Sequence, residues 1–93
     1  MERATIFVSG QVQGVGFRWW SRSRAKELGL VGFARNLADG RVEICAQGAV
    51  RAIERLQELI REEPSTTSRP GHVQTCVAQS GNLRHGLSGF RER

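Results

Sequence analysis

Apolar positions along this chain change period several times, and each change marks an element. Residues 4–9 (Ala-Thr-Ile-Phe-Val-Ser) are rich in β-branched and aromatic types and predict a strand. Gly10-Gln11-Val12-Gln13-Gly14-Val15-Gly16 follows, with three glycines in seven positions. That density marks a loop with unusual backbone angles. From Phe17 the spacing becomes helical, through Trp20, Arg24, Ala25 and Leu28, and Gly29 supplies a C-terminal stop. Residues 30–36 predict a second strand, and Ala38-Asp39-Gly40 a hairpin turn. Residues 41–47 alternate as a half-buried third strand, with Val42, Ile44 and Ala46 facing one way. After Gly48, Ile53, Leu56, Leu59 and Ile60 make the apolar stripe of a second helix over 49–62. The polar run from Glu62 to Gly71 is the one long loop. Residues 73–78 predict a weaker fourth strand, Ser80 to Gly86 a turn, and Leu87 to Arg91 a short fifth strand.

The order β-α-β-β-α-β is the split β-α-β, ferredoxin-like pattern of the α+β class. It predicts two helices on one face of a four- to five-stranded, mainly antiparallel sheet, with right-handed crossovers. Ninety-three residues hold one core, so 1–93 is expected to be a single domain. The fold alone carries no function, because many unrelated activities use it.

Composition removes several classes. Hydrophobic residues are 39% of the chain and charged residues 25%, which suits a soluble globular domain. No apolar run approaches the roughly 20 residues that span a bilayer. The start, Met1 to Val8, turns polar at Ser9-Gly10, too soon for a signal peptide. A cytoplasmic protein with no membrane partner is the expectation. Cys45 and Cys76 lack CxxC spacing and read as buried thiols in a reducing cytosol. His72 and His85 have no carboxylate or cysteine cluster at ligand spacing, so no metal site is expected.

Charge then directs attention to anions. Fourteen basic residues against nine acidic ones leave a net +5. That balance suits either nucleic acid or a smaller anion such as phosphate. Thirteen of the fourteen cations are arginine, spread over the whole chain. The basic run from Arg18 to Lys26 has no acid and reads as a solvated helix face, since its aromatics follow the core period. Trp19 and Trp20 point about 100° apart on a helix, so Trp20 is expected in the core and Trp19 on the rim.

The stretch from Ser9 to Arg18 is the most informative. A strand that turns through glycines into a helix leaves several backbone N–H groups unpaired and facing one concavity. Such a nest, aided by the helix dipole, binds phosphate-sized anions. Arg18, in the first turn, can grip two phosphate oxygens at once. No Gly-Lys-Ser/Thr follows, so this is not a Walker loop. On pattern alone, a plain turn and a solvated arginine stand as the alternative.

Gly10-Gln11-Val12-Gln13-Gly14-Val15-Gly16-Phe17-Arg18 resembles the signature of the acylphosphatase family. The stretch from Gly29 to Glu43, with Phe33-Ala34-Arg35-Asn36 at its centre, resembles that family's second motif. The likeness covers residues 4–62 well and the last thirty poorly. It implies hydrolysis of acyl phosphates to a carboxylate and inorganic phosphate, with no metal and no cofactor. It also implies that Gln13, Gly14, Val15, Gly16, Phe17 and Arg18 form the phosphate cradle, that Arg18 binds the phosphate, and that Asn36 positions the attacking water. The implied partners are an acyl phosphate and inorganic phosphate as product or inhibitor, with no nucleic acid, on a monomer.

Physical reasoning agrees with that assignment. The first two strands of a split β-α-β unit run parallel, so their C-terminal ends share one sheet edge. One strand lies between them, so Asn36 should stand roughly 10 Å from the end of strand one. Phosphoryl transfer has a loose transition state, and positioning with charge stabilisation suffices without a covalent nucleophile. Neither motif holds a carboxylate or histidine placed for proton transfer, which leaves the substrate's own phosphate as proton acceptor. Two other readings remain: a non-catalytic phosphate- or carbamoyl-phosphate-binding domain of this fold, and an RNA-recognition module. The latter needs aromatics along strand three, and Arg41 to Gln47 has none. In the usual strand order 4-1-3-2, strand one separates Cys45 from Cys76, which argues against a disulfide. Ser21 occupies an inward-looking helix position where an aliphatic is expected.

Overall fold

A computed structural model covering residues 1–93 contains seven elements. In order they are β1 (Glu2–Gln11), α1 (Phe17–Glu27), β2 (Val31–Asn36), β3 (Val42–Gly48), α2 (Val50–Arg61), β4 (His72–Gly81) and β5 (Phe90–Glu92). The strands form one sheet in the order β4-β1-β3-β2-β5. Every neighbouring pair is antiparallel except β2 and β5. The ferredoxin-like α+β architecture read from the sequence is the one observed.

Period-2 alternation puts Ala4, Ile6 and Val8 of β1 and Val42, Ile44 and Ala46 of β3 on one face. There they meet Phe17, Trp20 and Ala25 of α1 and Ile53, Leu56 and Ile60 of α2 in a single buried cluster. Trp20 is buried and Trp19 is 59% exposed. Ser21 is buried too, and its hydroxyl donates to the Phe17 carbonyl one turn back (2.9 Å), so the inward serine is satisfied. Helix α1 stops as its sequence suggests. The Leu30 N–H reaches the Ala25 carbonyl at 2.9 Å and Gly29 that of Lys26 at 3.0 Å, and Leu30 tucks into the core.

Four readings need correction. β4 runs to Gly81 rather than ending at 78, paired with β1 along its length. It is an edge strand, mostly exposed, held by its backbone ladder more than by burial, so its apolar pattern is faint. A bulge at Ser9/Gly10 accompanies it, where a side chain on Gly10 would stand 2.1 Å from the His72 carbonyl oxygen. Second, β3 is buried on both faces, not half-buried: Cys45 and Gln47 are also covered. The segment after β4 folds back under the open face, where Gln47 donates to the Arg84 carbonyl (3.1 Å) and accepts from the Arg84 N–H (2.8 Å).

Third, β5 is shorter than 87–91 and begins at Phe90, which is buried in the core. Fourth, the basic run on α1 is not simply a solvated face. Arg18 donates to the Arg93 carbonyl (2.6 Å), Arg22 to that of Phe90 (3.2 Å), and Arg24 pairs with Glu27 (2.8 Å). Two of these arginines therefore tie β5 and the residue after it to the helix. The cysteines are free, and only Cys45 is buried as expected; Cys76, on the edge strand, is half-buried. Cys45 lies opposite Thr5 and Cys76 opposite Val8, so they occupy different faces as well as non-adjacent strands.

Candidate active site

Three connections gather at one end of the sheet. β1 and β2 both run antiparallel to β3, so both finish there, followed by residues 12–16 and 37–41 respectively. β4 begins there opposite Gln11, which brings in the 62–71 loop.

The 12–16 loop is pinned at both flanks by buried Val12 and Phe17. Between them the backbone bulges outward through Gly14 (φ 73°) and Gly16 (φ 89°). No other atom lies within 4 Å of where a side chain on either would begin, so glycine is required by conformation rather than by space. No main-chain N–H from Val12 to Gly16 finds an acceptor within the chain. The first backbone bond of α1 runs from Trp20 to the Gly16 carbonyl (3.0 Å). The helix has no capping side chain and no acid in its first turn, where it carries Arg18 instead. A cation there opposes the helix dipole by about 0.3–1 kcal/mol. Unpaired donors and a guanidinium thus adjoin one another at the start of α1, and an oxyanion placed there would relieve both.

Asn36 closes β2, exposed, with an amide that makes no hydrogen bond within the chain. Val8 pairs with Val42 and Val42 with Asn36, so the three stand in one row across β1, β3 and β2. Residues in such a row share a face, which aims Asn36 to the helix side beside the start of α1. Two strand spacings, roughly 10 Å, separate it from β1.

The acylphosphatase family model matches residues 4–91. The chain belongs to the acylphosphatase family. It is 52% identical over 91 residues to an acylphosphatase of Corynebacterium glutamicum, covering 98% of this chain and 96% of the relative. It is 53% identical, again with 98% and 96% coverage, to an acylphosphatase of Thermobifida fusca. A solved acylphosphatase from Coxiella burnetii superposes with a TM-score of 0.85 at 33% identity, covering 99% of this chain and 92% of that one.

In this acylphosphatase-family chain the loop residues divide their work between side chain and backbone. The Gln13 amide donates to the carbonyls of Leu37 (2.8 Å) and Arg41 (3.0 Å), strapping the loop to the turn that follows Asn36. Phe17 is core. Both side chains are thus committed, which leaves only their main chains available to a ligand. Arg18 spends one Nη1 bond on the Arg93 carbonyl and keeps its remaining donors free. The 37–41 turn is held by Asp39, whose carboxylate accepts from the Arg41 N–H (3.1 Å) and Nε (2.8 Å). Chiefly that backbone hydrogen bond, with the guanidinium behind it, lowers the Asp39 carboxyl below its ordinary value.

The Gln13 strap and the Arg18–Arg93 contact were not read from the sequence. Their acceptors are main-chain carbonyls, which leave no side-chain signature. The one available hint was the i, i+4 spacing of Arg18 and Arg22, which puts both on one flank facing a common partner. No three His, Cys, Asp or Glu side chains converge as metal ligands, and no helix is long and apolar enough to cross a membrane.

Proposed function

We propose that this chain hydrolyses acyl phosphates to a carboxylate and inorganic phosphate, with residues 13–18 as the phosphate cradle and Asn36 as the water-positioning group. The observation that carries this reading is the run of unpaired N–H groups ending at Arg18, in a chain of the acylphosphatase family. Phosphoryl oxygens accept hydrogen bonds from those N–H groups and from the Arg18 guanidinium. Charge on the transferring group is then met by fixed donors, which lowers the barrier without a metal ion or cofactor. The Asn36 amide oxygen holds a water by accepting a hydrogen bond from it, with no change in protonation. The water oxygen bonds to phosphorus as the bond from phosphorus to the acyl oxygen breaks, and the carboxylate leaves with that electron pair. The water's proton passes to a phosphate oxygen, since the two carboxylates of the second motif, Glu43 and Asp39, are engaged by Arg35 and Arg41.

The same reading makes the protein a cytoplasmic monomer that uses small acyl phosphates and has no nucleic-acid partner. The test is hydrolysis of an aromatic acyl phosphate with and without a chelator. Turnover should survive the chelator and be inhibited competitively by inorganic phosphate. Phosphate binding without turnover, by folded protein, would instead identify a non-catalytic binding domain.

A further inference from the structure

A hollow of about 350 Å³ lies beside the cradle, between α1 and the 62–71 loop. Its walls include Val15, Gly16, Trp19, Arg24, Thr67 and Pro70. Two smaller hollows lie elsewhere: one of about 120 Å³ at the opposite end of the sheet, and one of about 100 Å³ beside Arg91 and Arg93. Only the 350 Å³ hollow shares residues with the cradle, namely Val15 and Gly16. Trp19 is 59% exposed and Val15 44% exposed, and they border the same void. These two apolar side chains are exposed side by side around one concavity, which gives it an apolar border.

Resting on the hydrolytic reading above, we propose that this hollow receives the acyl group. Trp19 is then its specificity-determining wall, and planar, uncharged acyl groups are the preferred class. The acyl carbon is one bridging oxygen from phosphorus, so a phosphate seated in the cradle delivers it to whatever adjoins. A void of about 150 Å³ already admits benzene, so an aromatic ring fits here. An indole face offers such a ring offset stacking. The one cation in the wall, Arg24, is engaged by Glu27 at 2.8 Å, which leaves apolar and hydroxyl surface to set the preference.

The opposite wall is pre-organised. Trp20 donates from its indole to the Thr67 carbonyl (3.1 Å) and hydroxyl (3.2 Å). The Ser65 hydroxyl accepts from the N–H groups of Thr67 (3.1 Å) and Arg69 (3.0 Å). Arg69, with a side chain only 4% exposed, donates to the Ile60 and Glu62 carbonyls at 2.6 Å each. A wall already ordered needs little further ordering when a ligand binds.

The test measures kcat/KM for benzoyl phosphate and acetyl phosphate on the native chain, Trp19→Ala and Trp19→Phe. The native chain should favour benzoyl phosphate. Trp19→Ala should cut the benzoyl-to-acetyl ratio about tenfold, mostly through KM, and Trp19→Phe should restore most of it. An unchanged ratio in active Trp19→Ala overturns the acyl subsite while leaving the hydrolytic reading intact. A parallel rise in the inhibition constant for inorganic phosphate overturns it too, by placing Trp19 in the cradle. So does a preference for succinyl phosphate that Arg24→Gln abolishes, which would give the wall to Arg24. Failure of the folded native chain to turn over either substrate overturns the hydrolytic reading itself.

Discussion

The two halves of the chain, β1-α1-β2 and β3-α2-β4, are the same strand–helix–strand unit with the slack placed differently. In the first half five residues precede the helix and three follow it. In the second, one precedes and ten follow. Each helix runs back against the strand before it, so both long connections fall at the same end of the sheet. The first is built from backbone: two left-handed glycines, unpaired N–H groups and one strap from Gln13. The second is built from side chains: Ser65, Arg69 and Glu62 hold it to itself and to α2. Backbone donors suit an anion of fixed geometry, whereas an ordered side-chain loop suits a wall. The difference is sharpest at the helix starts, since both helices lack a capping side chain and both carry arginine as second residue, Arg18 and Arg51.

That matched pair gives the largest expected effect. Arg18→Ala should lower kcat/KM by about 10³-fold and abolish the rise in melting temperature caused by inorganic phosphate. Arg51→Ala, which removes the same cation from a helix start with no glycine loop, should leave activity unchanged. It should also stabilise slightly, by about 0.3–1 kcal/mol. Equal losses from both would show that Arg18 acts only through overall charge. Next in size, Asn36→Ala should reduce kcat by about 10²-fold, as expected for lost positioning, while the inhibition constant for phosphate stays put. Normal turnover in that variant would remove the water-positioning role.

The first half was far more legible in the sequence than the second. Its signals are local: a glycine cluster, a helical period starting at Phe17, an Asp-Gly turn. They placed Arg18 and Asn36 at the same end of the sheet; Asn36 stands in the register row with Val8 and Val42, and Arg18 in the first turn of α1. The second half depends on partners distant in sequence. The second buried face of β3 exists because residues near Arg84 return to cover Gln47, and nothing within 42–48 announces that. The length of β4 follows from a ladder with β1 on a strand whose side chains are largely wet. Arg18 and Arg22 looked solvated because their partners at β5 are carbonyls, which every residue possesses.

Helix starts allow a sharper contrast through stability. Gly16→Ala forces a side chain into φ 89° with free space around it, so strain alone should cost about 1–2 kcal/mol in denaturant unfolding. Ala49, the counterpart before α2, has φ −63° and ψ 139°, the extended conformation an N-cap requires. Ala49→Asp should therefore stabilise by about 1 kcal/mol with activity unchanged, because that end of the sheet holds no cradle. Loss of activity in a stabilised Ala49→Asp chain would mean the two ends are coupled.

The smallest effect concerns how the second half's loop is held. Glu62 accepts from the Thr66 hydroxyl at 2.7 Å and N–H at 3.1 Å. These hydrogen bonds, the hydroxyl's first, keep its carboxyl below the ordinary value. A carboxyl lowered on folding contributes stability above its unfolded value, about 4.3, and loses it as pH falls through the folded value. Asp39 shifts in the same direction and supplies a common background. Glu62→Gln keeps an acceptor for Thr66 and removes the titration. The native chain should exceed Glu62→Gln in urea midpoint at pH 7, and the gap should narrow as pH falls below about 4.3. A gap that stays constant across that range would mean the carboxylate charge contributes nothing to the loop.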